Sequence, residues 1–237
     1  MSLIDPNLQI IYEDNHLIAV NKPAGWLVQA DETGDLPLVD MVKNYIKLRY
    51  NKPGDVFLGV IHRLDRPVSG VVVFARTSKA LSRMNKIFQE RKVIKEYISV
   101  VENRPDPLED QITHYLIKDK DRNITTAFNK QKYNAAKKCI LEYKYMGGLA
   151  DHHLLYVKPI TGRSHQIRAQ LSKIGCSIKG DKKYGAKRFN TDKGTINLHA
   201  YRLTFEHPVK KEPVVIVADP SRKDQIWQMY VQLLDQI

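Results

Sequence analysis

The chain has 237 residues, and its 38 Lys and Arg against 26 Asp and Glu leave a formal net charge of +12. A hydrophobic share of 43% with 27% charged residues is typical of soluble globular chains and excludes wholesale disorder. No apolar stretch approaches the ~20 residues that a membrane-spanning helix needs. The charge excess favours a polyanion as partner, most often nucleic acid, although a basic surface kept for solubility would give the same total.

The beginning of the sequence and its cysteines bear on location. The first six residues lack the basic start and apolar run of a signal peptide. Cys139 and Cys176 are the only cysteines, which is too few for a disulfide framework. We therefore expect two reduced thiols and a cytoplasmic protein.

The predicted elements follow one another without a linker, a low-complexity tract or an internal repeat, so a single domain over residues 1–237 is expected. Alternating or continuous apolar runs predict strands, and apolar residues at helical spacing predict helices. Thr77 is a candidate N-cap for the second helix, and Gly175 a stop for the third. The predicted strands cover residues 8–13, 16–20, 71–75, 97–101, 112–117, 139–145, 154–157, 198–205 and 214–217. The predicted helices cover residues 36–50, a segment after Thr77 with Leu81, Met84, Ile87 and Phe88 on one face, residues 164–173 and the C-terminal segment.

Strands outnumber helices in this pattern, and short turns join many neighbouring strands. These features predict an α+β fold with a mixed, mainly antiparallel sheet. The sequence contains neither a Gly-x-Gly-x-x-Gly run after the first strand nor a phosphate-binding Gly-Lys-Ser/Thr loop. No nucleotide cofactor is therefore predicted.

The first segment with chemical potential spans residues 62–70, His-Arg-Leu-Asp-Arg-Pro-Val-Ser-Gly. Asp65 stands among His62, Arg63 and Arg66, next to Pro and Gly residues that shape a turn. Flanking guanidinium groups favour the ionised carboxylate, which can act as a nucleophile or as a base. The alternative is an ion pair that only fixes the loop, and the residues alone do not decide between the two.

The second segment places Arg163, His165, Gln166 and Arg168 at a predicted helix start. Free backbone N–H groups at such a start favour anions. The two arginines suit a phosphate or the carboxylate of the first segment. A solvated polar helix start is the alternative.

The third segment, residues 179–188, sets five basic residues against one acid around Tyr184. Lys182 and Lys183 beside an aromatic ring suit backbone contact with base stacking, whereas the alternative is an ordinary charged loop. Tyr97 follows Lys95 and Glu96 at the start of a predicted strand, where a tyrosine is more often a core residue.

Two other classes of site are not predicted. His152 and His153 are adjacent and point to opposite faces of a strand, with no carboxylate or cysteine at ligand spacing. No Gly-x-Ser-x-Gly elbow accompanies the histidines. Neither a metal site nor a serine hydrolase is therefore expected.

Six motifs, taken in order, resemble those of the RluA family of RNA pseudouridine synthases, and the resemblance runs from Ile11 to Pro208. Each motif alone is weak, but their shared order is specific. They are Asn21-Lys22-Pro23-Ala24-Gly25, His62-Arg63-Leu64-Asp65 with Ser69-Gly70, Lys95-x-Tyr97, Gly162 to Arg168, Gly180-Asp181-x-x-Tyr184-Gly185, and Leu198-His199-Ala200.

This resemblance implies a pseudouridine synthase fold with a central cleft, and isomerisation of uridine in rRNA or tRNA without cofactor or metal. The target base would flip out of its stack. Asp65 would be the catalytic aspartate, Tyr97 would stack on the base, and Arg168 would pair with Asp65. The expected RNA-binding residues are His62, Arg63, Arg66, Arg163, His165, Gln166, Lys182, Lys183 and Tyr184.

The resemblance also carries expectations about organisation. The chain is expected to be a catalytic domain without the separate N-terminal RNA-binding domain of many members, and to be a monomer. Two other classes of function stay open: a non-catalytic RNA-binding protein on the same fold, and a nucleoside glycosidase. Whether Asp65 attacks the sugar or removes a proton from it is also open.

Overall fold

The structure is a computed structural model that describes residues 5–149, 151–190 and 194–234. Its elements in chain order are β1 (Gln9–Glu13), β2 (Leu17–Lys22), α1 (Leu38–Arg49), β3 (Gly59–Val60), β4 (Ser69–Ala75), α2 (Ser78–Gln89), β5 (Ile94–Val101), β6 (Glu109–Asp119), β7 (Ile124–Phe128), β8 (Lys137–Leu149), β9 (His152–Pro159), α3 (Gln166–Lys173), β10 (Leu198–Glu206), β11 (Pro213–Val217), α4 (Gln225–Met229) and α5 (Val231–Leu234). A short 3-10 helix, Lys182–Tyr184, follows α3.

The chain forms two compact units. The first unit comprises Met1–Ile94 with Ala200–Asp219, and the second comprises Lys95–His199 with Pro220–Ile237. The expected single domain over the whole chain remains a prediction. The α+β class is confirmed, because sheets form the body of both units and helices accompany them.

The sheet of the first unit has the strand order β1-β2-β4-β10, with β3 also paired to β4 and β11 to β10. Strands β2 and β4 are antiparallel, in a register that runs from Leu17 opposite Ala75 to Lys22 opposite Gly70. This register puts the first sequence motif beside the end of the segment that contains Asp65.

One face of this sheet packs against α2. Met84 of α2 is fully buried in a cluster with Leu17, Val73 and Phe205, and the Thr77 hydroxyl accepts a hydrogen bond from the Ala80 N–H at 3.1 Å, which confirms the predicted N-cap. A buried apolar face and a capped start explain why α2 forms where its sequence pattern predicts it.

Gly70 cannot be replaced by another residue without moving a strand. Its φ is +115°, a conformation that L side chains rarely adopt, and a Cβ there would overlap the backbone of Ala200 in β10. The glycine of the Ser69-Gly70 motif therefore serves the approach of two backbones rather than chemistry.

The sheet of the second unit has the order β5-β9-β8-β6-β7, and its neighbouring strands are antiparallel. Helix α3 packs on it through Ala169, in a cluster with Leu116, Ala127 and Cys139. Six consecutive residues of α3, from Gln166 to Leu171, are buried. The helix is therefore enclosed on more sides than an amphipathic surface helix, whose apolar stripe leaves a polar face in water.

The structure adds elements to the prediction and moves several element ends, for example those of β6, β8 and β9, which are longer than predicted. Strands β3 and β7 were not predicted, and the expected C-terminal helix divides at Tyr230 into α4 and α5. Helix α3 begins at Gln166 rather than residue 164, because His165 has a left-handed backbone with φ of +54°. Among the described residues, no helix is both long and apolar enough to span a membrane.

Candidate active site

Asp65 lies in a loop of the first unit, residues 61–68, between β3 and β4; we call it the aspartate loop. Leu64 and Val68 are buried and anchor it, whereas Asp65 itself is half-buried. The Val68 N–H donates to the Asp65 carbonyl at 3.0 Å, which closes a turn around Pro67. The carboxylate is thus carried by a short turn with an apolar anchor on either side.

Lys22 fastens the first motif to this loop. Its side chain is fully buried, and its ammonium donates to the carbonyl oxygens of Pro23 at 3.1 Å, Trp26 at 2.9 Å and Arg66 at 3.2 Å. The Gly25 N–H also donates to the Arg66 carbonyl, at 2.8 Å. The residue that follows Asp65 is therefore held by two donors of the first motif.

Burial lowers the pKa of Lys22 to about 7, and the charge of Asp65 acts in the opposite direction. Three carbonyl acceptors match the three donors of an ammonium, while the lack of water favours the neutral amine. Lys22 belongs to the first of the six motifs but was not predicted as a site residue. The sequence feature that could have identified it is a lysine at the end of an apolar strand.

Two predicted RNA-binding arginines are exposed beside the aspartate loop. Arg66 forms a 2.5 Å ion pair with Asp35, and Arg63 donates to the Gln29 side chain at 3.3 Å. Both partners belong to residues 29–36, an exposed segment between β2 and α1. Exposure leaves the arginines accessible to a ligand, and their contact with RNA remains a prediction.

His62 is fixed to the first unit by two contacts. Its Nε2 accepts a hydrogen bond from the Val73 N–H at 3.0 Å, and its ring stacks on Phe88 with centroids 5.1 Å apart. An accepting Nε2 requires the neutral ring to carry its proton on Nδ1. His62 thus extends the short pairing of β3 with β4, and a direct contact with RNA is not tested by this geometry.

Tyr97 is half-buried on β5 of the second unit. It is paired with Val157, which in turn is opposite Tyr143. Because residues two apart on a strand share a face, Tyr143 lies on the same face as Cys139, which packs against Ala169 of α3. Tyr97 therefore lies on the face of this sheet that carries α3.

Arg168 of α3 is buried with Asp181, which was not predicted as a site residue. The Arg168 Nε and Nη2 donate to the two carboxylate oxygens at 2.7 and 2.8 Å, and both side chains are almost fully enclosed. The Tyr184 ring lies 4.9 Å from the guanidinium carbon. Bidentate pairing and stacking fix the orientation of Arg168. Its pairing with Asp65 remains a prediction.

Tyr184 and His165, both predicted to bind RNA, are buried and bonded to each other. The Tyr184 hydroxyl accepts from the Thr125 N–H at 2.8 Å and lies 2.8 Å from the His165 Nδ1. Burial raises the pKa of Tyr184. These contacts favour a supporting role for both side chains, and base stacking by Tyr184 is untested.

Gln166 is also buried, and it closes the turn before α3. Its Oε1 accepts from the Thr161 hydroxyl at 2.8 Å and the Arg163 N–H at 3.1 Å, while its amide donates to the Ile140 carbonyl at 3.0 Å. The Arg163 side chain itself is exposed. Gln166 thus shapes the turn that presents Arg163.

Of the basic residues at the third motif, Lys182 and Lys183 are exposed and remain available to a ligand. Lys179, in contrast, is buried, and its ammonium donates to Asn190 at 2.6 Å. Within residues 5–149, 151–190 and 194–234, no group of three or more His, Cys, Asp or Glu side chains is arranged to hold a metal ion.

Comparison with known proteins places these features in a family. The family model for RNA pseudouridylate synthases matches residues 16–173. The chain is 34% identical to a ribosomal large subunit pseudouridine synthase C of Buchnera aphidicola, over 92% of this chain and 68% of the relative. It is 33% identical to the dual-specificity RNA pseudouridine synthase RluA of Escherichia coli, over 86% and 89%.

A tRNA pseudouridine synthase C of Pectobacterium carotovorum is 31% identical over 93% of this chain, which spans only 60% of that relative. Among solved structures, human RNA pseudouridylate synthase domain containing 4 shares the fold with a TM-score of 0.77 at 22% identity, over 96% of this chain and 93% of that one. A match over most of the chain, with the motifs in order, settles the family. The chain belongs to the RNA pseudouridylate synthases, and among them to the RluA type.

Proposed function

We propose that this chain isomerises uridine in structured RNA to pseudouridine, with Asp65 as the reacting carboxylate. Family membership supports the isomerase activity. The observation that carries the assignment to Asp65 is its loop: a half-buried carboxylate on a turn whose next residue is held by Lys22 and Gly25. Such fixation keeps a reacting group in place without reorganisation.

The reaction balances without an oxidant or a second substrate. The bond from the sugar C1′ to the uracil N1 breaks, the base turns, and C1′ bonds to the uracil C5. The C5 proton is lost, and N1 gains a proton. Asp65 serves this sequence either by attacking C1′ or by removing a proton from the sugar, and it needs to be ionised for both.

Tyr97 is proposed to stack on the target base after it leaves the RNA stack. Base flipping costs a few kcal/mol, and stacking on an aromatic ring offsets about 1–3 kcal/mol of it. Arg168, which Asp181 orients, is proposed to pair with Asp65 in the catalytic arrangement. No metal or cofactor enters this scheme.

The proposed substrates are rRNA or tRNA, since the names of the relatives include both. Exposed Arg63, Arg66 and Arg163 are proposed to contact the phosphate backbone. We further propose that the protein works in the cytoplasm as a monomer.

The test compares Asp65→Asn with Asp55→Asn, an equal loss of charge at an exposed position of the first unit. The substrate is RNA with tritium at the uracil C5, since that proton is released on isomerisation. We expect Asp65→Asn to abolish release while RNA binding largely survives, and Asp55→Asn to retain both. Tritium release by Asp65→Asn at the wild-type rate would refute the assignment.

The same assay separates the other classes of function. Wild-type protein that binds RNA but releases no tritium would be a non-catalytic RNA-binding protein. Free uracil among the products would identify a glycosidase. Either result would overturn the proposed isomerase.

A further inference from the structure

We propose that the second unit carries an additional RNA-contact surface, remote in sequence from the aspartate loop, where β6, β7 and β8 meet. This proposal rests on the proposed function, because it assigns part of the substrate RNA to a second place. The distal basic surface, as we name it, consists of Lys130, Lys132, Tyr133 and Lys138 with Lys120 and Arg122 of the adjoining β6–β7 turn; Lys118 and Lys137 lie on the other face of the sheet, with Leu116.

The topology gathers these side chains at one end of β6. Strands β7 and β8 flank β6 on opposite sides, with Leu116 opposite both Ala127 and Lys137. The eight residues 129–136 between β7 and β8 must therefore cross β6 at this level. Tyr133 of the crossing segment packs on Phe128, which is opposite Tyr115, as is Lys138. The segment therefore brings Lys130 and Lys132 to the face of the sheet that carries Lys138.

This region has an excess of positive charge that no ion pair in the described residues neutralises. Residues 118–138 contain seven basic side chains against two acidic ones, and all seven basic residues are exposed. One of the acids, Asp119, accepts the Arg122 N–H at 3.0 Å and is used in the turn. None of the seven is ion-paired with a carboxylate in the described part of the chain.

The unpaired cations of the distal basic surface repel one another, and a bound polyanion relieves this repulsion while it releases its own counterions. The surface therefore fits a phosphate backbone.

An aromatic ring lies within the same segment. Tyr133 is 49% exposed, and its ring packs against Phe128 at 5.6 Å between centroids in an edge-to-face geometry. The Lys132 ammonium lies 5.7 Å from the centre of the Tyr133 ring. A ring supported from one side and flanked by lysines suits stacking of an unpaired base beside backbone contacts.

The surface is also joined to a region predicted to contact RNA. The Lys183 ammonium donates to the Asn123 carbonyl at 3.1 Å, in the turn between β6 and β7. The Tyr184 hydroxyl accepts from Thr125 at the start of β7. Continuity with the Lys182–Tyr184 helix, and an exposed aromatic ring among the lysines, favour RNA over an acidic protein as the occupant.

The charge test uses Lys130→Gln/Lys132→Gln/Lys138→Gln, with Lys47→Gln/Lys52→Gln/Lys79→Gln as a control. The control loses the same charge from exposed lysines of the first unit. Binding of unmodified tRNA and rRNA transcripts is measured from 50 to 300 mM salt, and tritium release gives kcat and KM. Each lost phosphate contact should flatten the slope of log K against log salt by about 0.7–0.9.

We expect the triple variant of the surface to flatten this slope by about 2 and to raise KM about tenfold, with kcat unchanged. Equal effects of the two triple variants would overturn the proposal, because the charge would then act only as bulk attraction. An unchanged salt slope of the triple variant would also overturn the proposal. That result is expected if the true occupant is an acidic protein rather than RNA. If the wild-type protein shows no turnover, the proposed function is refuted but the proposed surface is not. The salt slopes of RNA binding then still test the surface.

The stacking test uses Tyr133→Ala with Tyr133→Phe. Loss of a base-stacking ring should weaken RNA binding about fivefold or more, and phenylalanine should restore it because it keeps the stacking face. Equal binding by the alanine and phenylalanine variants would remove Tyr133 from the proposal. A matching melting temperature of all variants establishes that the effects arise in binding.

Discussion

At the scale of single residues, the site depends on charged groups that are buried and partnered. Lys22 and Arg168 are both enclosed; Lys22 donates to three carbonyl oxygens, and Arg168 donates to both oxygens of the Asp181 carboxylate. An unpartnered charge at such a position would cost several kcal/mol. Both residues therefore act first as fixed points of the structure, and their effect on chemistry follows from what they hold.

Lys22 should leave a pH signature in stability. Its pKa is about 7 in the folded protein but about 10.4 in an unfolded chain. Between these values the unfolded state binds more protons, so the free energy of unfolding rises with pH by up to about 1.4 kcal/mol per unit. This contribution is complete above the unfolded pKa and is lost as pH falls to about 7.

We expect Lys22→Met to lack this rise. Urea unfolding of wild type and variant at pH 7, 8 and 9 should give a difference in unfolding free energy that grows with pH. Lys79→Met, at an exposed position, serves as the control and should follow the wild type. Parallel curves for wild type and Lys22→Met would contradict the lowered pKa.

Asp181 should be coupled to Arg168. Asp181→Asn leaves a buried guanidinium without its counter-charge, which we expect to cost about 3–5 kcal/mol of unfolding free energy. The double variant with Arg168→Gln no longer contains the unpaired charge. Its loss of unfolding free energy should be smaller than the sum of the two single losses by more than about 1 kcal/mol. A double-mutant cycle by urea unfolding measures this coupling, and strictly additive losses would exclude it.

At the scale of elements, we expect the segment 29–36 to compete with RNA for Arg66. The Arg66–Asp35 pair is about half exposed on both sides, and such pairs contribute about 0–1 kcal/mol to stability. A phosphate can therefore take the place of the Asp35 carboxylate at little cost.

We expect Asp35→Asn to strengthen RNA binding a few-fold at low salt, with the melting temperature nearly unchanged. Asp40→Asn is the matched control, since Asp40 pairs with Lys43 on α1 rather than with the aspartate loop. Equal gains in the two variants would show a general charge effect and no competition at Arg66.

Element by element, the sequence predicted what periodicity and capping determine. Thr77 capped α2 as expected, and Ile167 and Leu171 face inward. Periodicity missed the burial of Arg168 and Gln170, because those side chains find polar partners that lie far away in the sequence. Asp65 was identified from charged neighbours in the sequence. Lys22 and Asp181 were not, because the contacts that tie them to the site, with the Arg66 carbonyl and the Arg168 guanidinium, come from the fold.

At the scale of the whole molecule, the +12 charge is distributed unevenly. Some cations are buried and structural, such as Lys22 and Lys179, while Arg63, Arg66 and Arg163 are exposed. Only the exposed group can release counterions from RNA, so net charge alone overstates the number of contacts.

We expect RNA affinity of the wild type to fall at least a hundredfold between 50 and 200 mM salt, as about five or more phosphate contacts require. Fluorescence anisotropy with an unmodified tRNA transcript measures this affinity. Melting curves of the protein without RNA, over the same salt range, control for unfolding. A flat response would mean that the charge serves solubility alone.

The register of β2 on β4, with Lys22 opposite Gly70, has a consequence for how the chain can change in length. Side chains alternate along a strand, so one residue gained or lost in either strand would turn Lys22 to the other face while the sheet still paired. Insertions in residues 29–36 or 129–136 would leave that register intact. The gene should therefore tolerate length variation in those two segments and reject it within Leu17–Lys22 or Ser69–Ala75, as a library of single-codon insertions scored for pseudouridine would reveal.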